Sequence, residues 1–174
     1  MKKVIIGLVF GFVIGIAVCV GASVVLVPKY VLLVKESKYT IDETIKHLAK
    51  AIEKEKWHVL VESDVNESLS RAGVKLKPKI KIIKFSKAEY AKEILEDHRE
   101  LACMMPPSIA VYEGEDGKVY ISKMNMGLIA KIYGGVVNKI MGEKISVDEN
   151  RIISAVVKRE ECNVICGKVG HENK

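Results

Sequence analysis

From Val4 to Val27 the chain runs for 24 residues without a charge, with Lys2 and Lys3 ahead of the run and Pro28 and Lys29 behind it. At helical rise this length spans about 36 Å, more than a hydrocarbon core of roughly 30 Å, so a tilted single-pass transmembrane helix is expected. A cleaved signal peptide, with Val20-Gly21-Ala22 as its cleavage site, is the competing reading. The run is longer than an ordinary signal core, however, and apolar sequence resumes beyond that site. A lipoprotein signal is excluded because Val18, not a small residue, precedes Cys19.

Within the run, Gly7, Gly11, Gly15, Cys19 and Ser23 recur at every fourth position. On a helix they form one stripe of small side chains along which a second backbone can approach, which predicts a homodimer contact in the membrane. The flanking lysines are nearly balanced, since Lys2 and Lys3 compete with Lys29, Lys35 and Lys38. The expected place is the cell membrane, with the rest of the chain outside.

Beyond the run the sequence reads as one polar domain, because the hydrophobic excess of the 174-residue chain is concentrated in its first 34 positions. The net charge of +6 is a lysine charge: only Arg71, Arg99, Arg151 and Arg159 are guanidiniums, so nucleic acid is not an expected partner. Gln is absent while Lys and Glu abound, a balance of hot environments.

Start signals then divide the domain. Val31–Glu36 reads as a first strand. Thr40-Ile-Asp-Glu43 is a capping box ahead of Ile41, Ile45, Leu48 and Ile52 at helical spacing, which predicts a helix over 41–56. Trp57–Ser63 and Lys79–Phe85 read as strands. Asp64-Val-Asn-Glu67, Ser86-Lys-Ala-Glu89 and Ser146-Val-Asp-Glu149 repeat the helix-start pattern, and Gly73 can close the first of these helices. Ser108–Glu113 and Lys118–Ser122 flank Asp116-Gly117 and predict an antiparallel hairpin, followed by a helix over 125–133 that Gly134-Gly135 stops. The expected fold is a single compact α+β domain with a mostly antiparallel sheet and packed helices, preceded by one transmembrane helix. Its parts are an anchor over 1–30, the domain over 31–158 and a Cys-containing tail over 159–174.

Several landmarks taken together, VKESKYTIDETIKHL, the Trp57-His58 strand ending in Asp64, RAGVKLKP, IKIIKF, MMPPSIAVYE and VYISKMNMGLIAKIYGG, resemble the domain of unknown function 302 family over about 31–158. The resemblance implies a compact α+β fold that tends to dimerise and no established reaction. Members often carry a Cys just after the Pro that leads into the VVVYE-like strand; here Pro106-Pro107 stands there and Cys103 lies earlier, so no thiol role transfers.

Three groups are candidate sites. Cys103, Met104 and Met105, five residues after His98, could offer soft ligands to copper or haem, although an apolar lead into a buried strand is the simpler reading. In the tail, Cys162 and Cys166 share a helix face and His171 is within reach, a zinc-like set whose spacing is not that of a zinc ribbon. An unstructured tail with two ordinary thiols, or a disulfide if the domain is exported, competes with it. Lys75, Lys77, Lys79 and Lys81 alternate with apolar residues, as on a protected sheet edge, or as a patch for anionic headgroups. No catalytic motif is present; His47 lies off the apolar face of its helix, and Asp64 reads as a helix cap. The expected function is therefore a membrane-anchored, homodimeric, non-catalytic binding module for a small ligand or protein, with no cofactor expected. The alternative is a membrane-tethered redox or metal-handling protein that uses zinc, copper or haem.

Overall fold

The computed structural model describes residues 11, 12, 15, 16, 21 and 30–158. Five strands, β1 (Leu32–Glu36), β2 (His58–Asp64), β3 (Ile80–Ser86), β4 (Ser108–Glu113) and β5 (Val119–Met124), form one fully antiparallel sheet in the order β1-β5-β4-β3-β2. The β4–β5 hairpin turns at Gly117, whose φ of +74° suits a residue without a Cβ. This end of the sheet is the hairpin end. At the other end, Met124 pairs with Leu32, and the Asn125 amide donates to the Val31 carbonyl at 2.8 Å.

One face of the sheet is dry. Ile83 and Phe85, Ile109 and Val111, and Ile121 alternate inward and meet α1 (Ile41–Lys54), which buries Ile45, Leu48 and Ile52 on its apolar face. The Thr40 capping box forms as the sequence predicts, and Asp64 caps α2 (Val65–Arg71) by accepting from the Glu67 amide at 3.1 Å. The remaining helices are α3 (Ala88–Asp97), a 3-10 turn (Arg99–Met104), α4 (Met126–Tyr133), α5 (Gly135–Val137), a π-helical stretch (Asn138–Ile145) and α6 (Ser146–Ser154).

Their course follows from a few contacts. α6 lies along β5: its Glu149 bonds to Lys123, one residue from the Asn125 end of that strand. At the hairpin end, Val156 accepts from the Lys38 amide at 3.0 Å and Val157 bridges to Ser37. The helical backbone preceding Ser146 therefore continues past the Asn125 end, beyond the sheet. α4 runs antiparallel beside it, with Gly127 next to Ser146 and Ala130 next to Gly142. α3 joins them through Lys144, 3.8 Å from Glu93 and over the Tyr90 ring. The corner between α4 and α5 turns on Gly134, at φ +68° and ψ −157°, a conformation essentially reserved for glycine.

Four local expectations are corrected. Ser86 caps nothing, because α3 begins at Ala88 with Lys87 as its cap residue and without a side-chain cap bond. Ser146 starts no helix either: Ile145 and Ser146 are already αR, and the Ser146 hydroxyl donates back to the Gly142 carbonyl. β3, which carries Lys79 just ahead of it and Lys81 within it, is an inner strand between β2 and β4, so these lysines do not guard an edge. Met104 closes a 3-10 turn rather than an extended lead-in, and both Met104 and Met105 pack partly buried against the core.

Candidate functional site

Two charged pairs are sunk beneath the helices. Lys123 follows Ile121 in the inward register of β5 and is only 5% exposed; its Nζ donates to Glu149 Oε2 at 2.5 Å, and Glu149 is 1% exposed. Burial, offset in part by the Lys123 charge, pushes the Glu149 carboxyl above its ordinary pKa. One residue earlier, Asp148 accepts from the Trp57 indole N–H at 3.0 Å, faces Lys87 Nζ at 3.4 Å and pairs with Arg151, which reaches on to Glu55 at 2.7 Å. Lys87 lies over the rings of Trp57 and Tyr90. Partial burial disfavours its charge, but the Tyr90 hydroxyl and Asp148 raise its pKa on balance. None of these groups lines a cleft described for the protein; they tie α6 to β5 and to the start of β2.

The clefts open at the hairpin end instead. One of about 490 Å³ is lined by Thr40, Asp42, Asp64, Lys79, Lys81 and Glu113, among others. Beside it lie one of about 570 Å³ around Lys77, Pro78 and Glu113–Glu115, and a smaller one of about 220 Å³ around Glu62, Asp64, Glu67 and Lys81. Lys81 is the centre of this end, 2.6 Å from Asp42 and 3.9 Å from Asp64. Its hydrogen bond and charge hold the Asp42 carboxyl below the ordinary range, and Asp42 in turn raises Lys81. The clefts are shallow, of mixed charge, and part polar and part apolar in lining.

Two surfaces are apolar and exposed. On the second face of the sheet, Leu32 and Val34 of β1 and Val61 of β2 are 47–53% exposed at opposite sides. Between them stand Met124, Tyr120, Tyr112 and Ile82, half-buried, with the two tyrosine rings stacked at 5.9 Å, and Ser122, Ser108 and Lys84 share the same face. At the Gly134 corner, Ile132, Tyr133 and Val136 form a second patch.

The residues singled out in the sequence do not converge. Cys103 is exposed and its Sγ sits 3.3 Å from the Glu100 carbonyl, while His98 pairs with Glu100 at 2.9 Å and stands edge-on to Tyr133. His47 stacks on Tyr39 at 4.3 Å. Among the described residues no three His, Cys, Asp or Glu side chains are grouped to hold a metal ion. Cys162, Cys166 and His171 lie outside the described residues, as do Gly7, Cys19 and Ser23 of the small-residue stripe. Gly11 and Gly15 are helical and exposed. No helix among the described residues is long and apolar enough to cross a membrane, and most of the run from Val4 to Val27 lies outside them. Sequence reasoning missed the Lys123–Glu149 pair, though its signal was present. Lys123 shares strand parity with Val119 and Ile121, and Glu149 falls four residues after Ile145 and three before Ile152.

The family model described as Domain of unknown function DUF302 matches residues 33–155, which leaves the N-terminal run outside the match. A crystal structure of an uncharacterized conserved DUF302 protein from Bacillus stearothermophilus superposes with a TM-score of 0.61 at 17% identity, covering 74% of this chain and 96% of that one. That likeness speaks for the fold. No curated protein matches the sequence. With the family match extending over most of the chain and the five-stranded architecture in agreement, the chain belongs to the DUF302 family.

Proposed function

We propose that the chain is a membrane-tethered, homodimeric binding module that performs no reaction of its own, standing outside the cell membrane and holding a small polar ligand or a second protein. The observation that carries this reading is the second face of the sheet, where Leu32, Val34 and Val61 remain half exposed around half-buried Met124, Tyr120, Tyr112 and Ile82. The face is mixed, with Ser122 beside Val34 and Lys84 beside Val61, but apolar side chains left half exposed on both edge strands of a sheet face point to a contact surface. Two copies stacked face to face would cover it at the usual sheet spacing of about 10 Å. The uncharged run from Val4 to Val27 and its stripe of small residues support the tether and a parallel pairing in the bilayer. The shallow clefts around Lys81 are the place for the ligand.

The test is light scattering on the full chain in detergent, for the parent and for Val34→Lys combined with Val61→Lys. A dimer that becomes a monomer in the double variant supports the reading. A parent monomer, or a dimer indifferent to both lysines, overturns the sheet contact. Gly11→Leu in the same assay separates the contribution of the membrane stripe.

A further inference from the structure

The helical corner at Gly134-Gly135 stands out by its position relative to the leash. Tyr30 is the first residue of the continuously described stretch, and its carbonyl accepts from Asn125 Nδ2 at 2.9 Å, immediately before α4. The leash therefore leaves the domain at the Asn125 end of the sheet. α4, the π-helical stretch and α3 project from that same end. From Glu149, level with Lys123, the unbroken helical backbone runs back to Gly135, a reach of roughly 15–20 Å beyond the sheet.

The leash is no longer than the projection. Val27, the last of the uncharged run, lies five residue steps before Leu32, the first paired residue of β1, and those steps extend at most about 17 Å. A domain held so closely, with its projection on the leash side, brings the corner to the bilayer surface. The corner has the composition for that place. Ile132 is 74% exposed, Tyr133 43% and Val136 37%, with Lys131 and Lys139 exposed on either side and no acidic residue between them. Apolar side chains flanked by lysines, with a tyrosine among them, suit the boundary between headgroups and acyl chains. On the neighbouring 3-10 turn Arg99 and Glu100 offset each other, and Asp97 precedes them, so apolar burial rather than net charge has to supply the contact. Lys79 lies at the opposite, hairpin end, about 17 Å from Met124 along β5, and Lys81 is level with Ile121, about 10 Å from it.

We propose that residues 131–139 are a membrane-docking tip which seats Ile132, Tyr133 and Val136 in the interface of the bilayer that the chain's own N-terminal run crosses. The proposal rests on the tethered reading above. Docking at a second point fixes the tilt of the domain and holds the hairpin-end clefts away from the lipid.

The experiment places the full chain in phosphatidylethanolamine–phosphatidylglycerol vesicles, with and without brominated acyl chains. It compares Tyr133→Trp with Lys118→Trp at the hairpin end, each over the background of buried Trp57. Alkaline carbonate extraction of the same vesicles reports the tether independently. Expected are retention in the membrane, a blue-shifted Tyr133→Trp emission lost to the brominated lipid, and no loss for Lys118→Trp. Retention with Tyr133→Trp unquenched and red-shifted overturns the tip and leaves the tether standing. A blue-shifted, unquenched emission that reddens when the protein is diluted in excess lipid assigns the corner to a second copy and also overturns the tip. Release by carbonate removes the tether and the tip with it.

Discussion

Replacing Glu149 by Leu is the sharpest probe of what holds the helical layer to the sheet. Lys123 and Glu149 are 5% and 1% exposed and meet at 2.5 Å, so the single change strands an ammonium in the core. Breaking one side of a buried pair costs roughly 3–5 kcal/mol, because the remaining charge keeps its desolvation penalty without its partner. With a urea slope of about 2 kcal/mol per molar for a domain of this size, the unfolding midpoint falls by roughly 1.5–2.5 M. The assay is built in: Trp57 is the only tryptophan, it is buried, and its indole bonds to Asp148 beside Glu149 on α6, so its emission follows the packing of this layer. Lys123→Met combined with Glu149→Leu restores stability to within about 1 kcal/mol of the parent, since an apolar pair of similar volume carries no desolvation cost. The pH dependence has a definite sign. Because folding raises the Glu149 pKa, the folded state holds the proton more tightly, and stability falls as pH rises from the ordinary carboxyl value through the folded one. The double variant loses that slope. A single variant as stable as the parent, or a double variant as weak as the single, refutes the account.

Thr40→Ala removes the hydroxyl that accepts from the Glu43 amide, while the backbone N–H of residue 40 can still donate to Glu43, and lowers stability by about 1 kcal/mol in the same titration. Gly142→Leu forces a side chain between the π-helical stretch and α4, where even a Cβ would lie 3.3 Å from that of Ala130 and 2.8 Å from Asn138 Oδ1; the expected loss is about 1–3 kcal/mol by chemical denaturation. In a carbon-detected NMR titration, Asp42 protonates at lower pH than an unpaired aspartate, and Lys81→Met moves its midpoint back up. The stability this contact supplies is present above the ordinary aspartate value and fades as pH falls through the depressed one.

The parts of this fold that were legible in the sequence are those governed by neighbours in the chain. The Thr40 and Asp64 caps, the heptad-like spacing of Ile45, Leu48 and Ile52, and the Asp116-Gly117 turn are local bargains between a side chain and its own backbone, and they formed where expected. Where distant partners compete, the local pattern loses. Ser146-Val-Asp-Glu149 has the letters of a capping box, yet Glu149 is taken by Lys123 and Asp148 by Trp57, across 26 and 91 residues, and the helix passes through Ser146 unbroken. Alternating lysines looked like an edge because strand order is a tertiary fact: β3 pairs on both sides. The candidate surfaces were less legible still, since Leu32, Val61, Ile132 and Val136 are ordinary apolar residues until the packing shows which of them nothing covers.

The connection of β1 and α6 also has a mechanical meaning. The continuously described chain enters β1 at its Leu32 end, whereas Lys158 stands at the far end of the same strand, where Val157 bridges Ser37 and Lys158 pairs with Glu36. A pull on Leu32 and Lys158 in opposite directions is thus directed along β1. It loads the β1–β5 hydrogen bonds together, in shear, instead of opening them one after another. Such a strand resists force along its own axis far better than its edge position suggests, because its ladder has to give way as one unit.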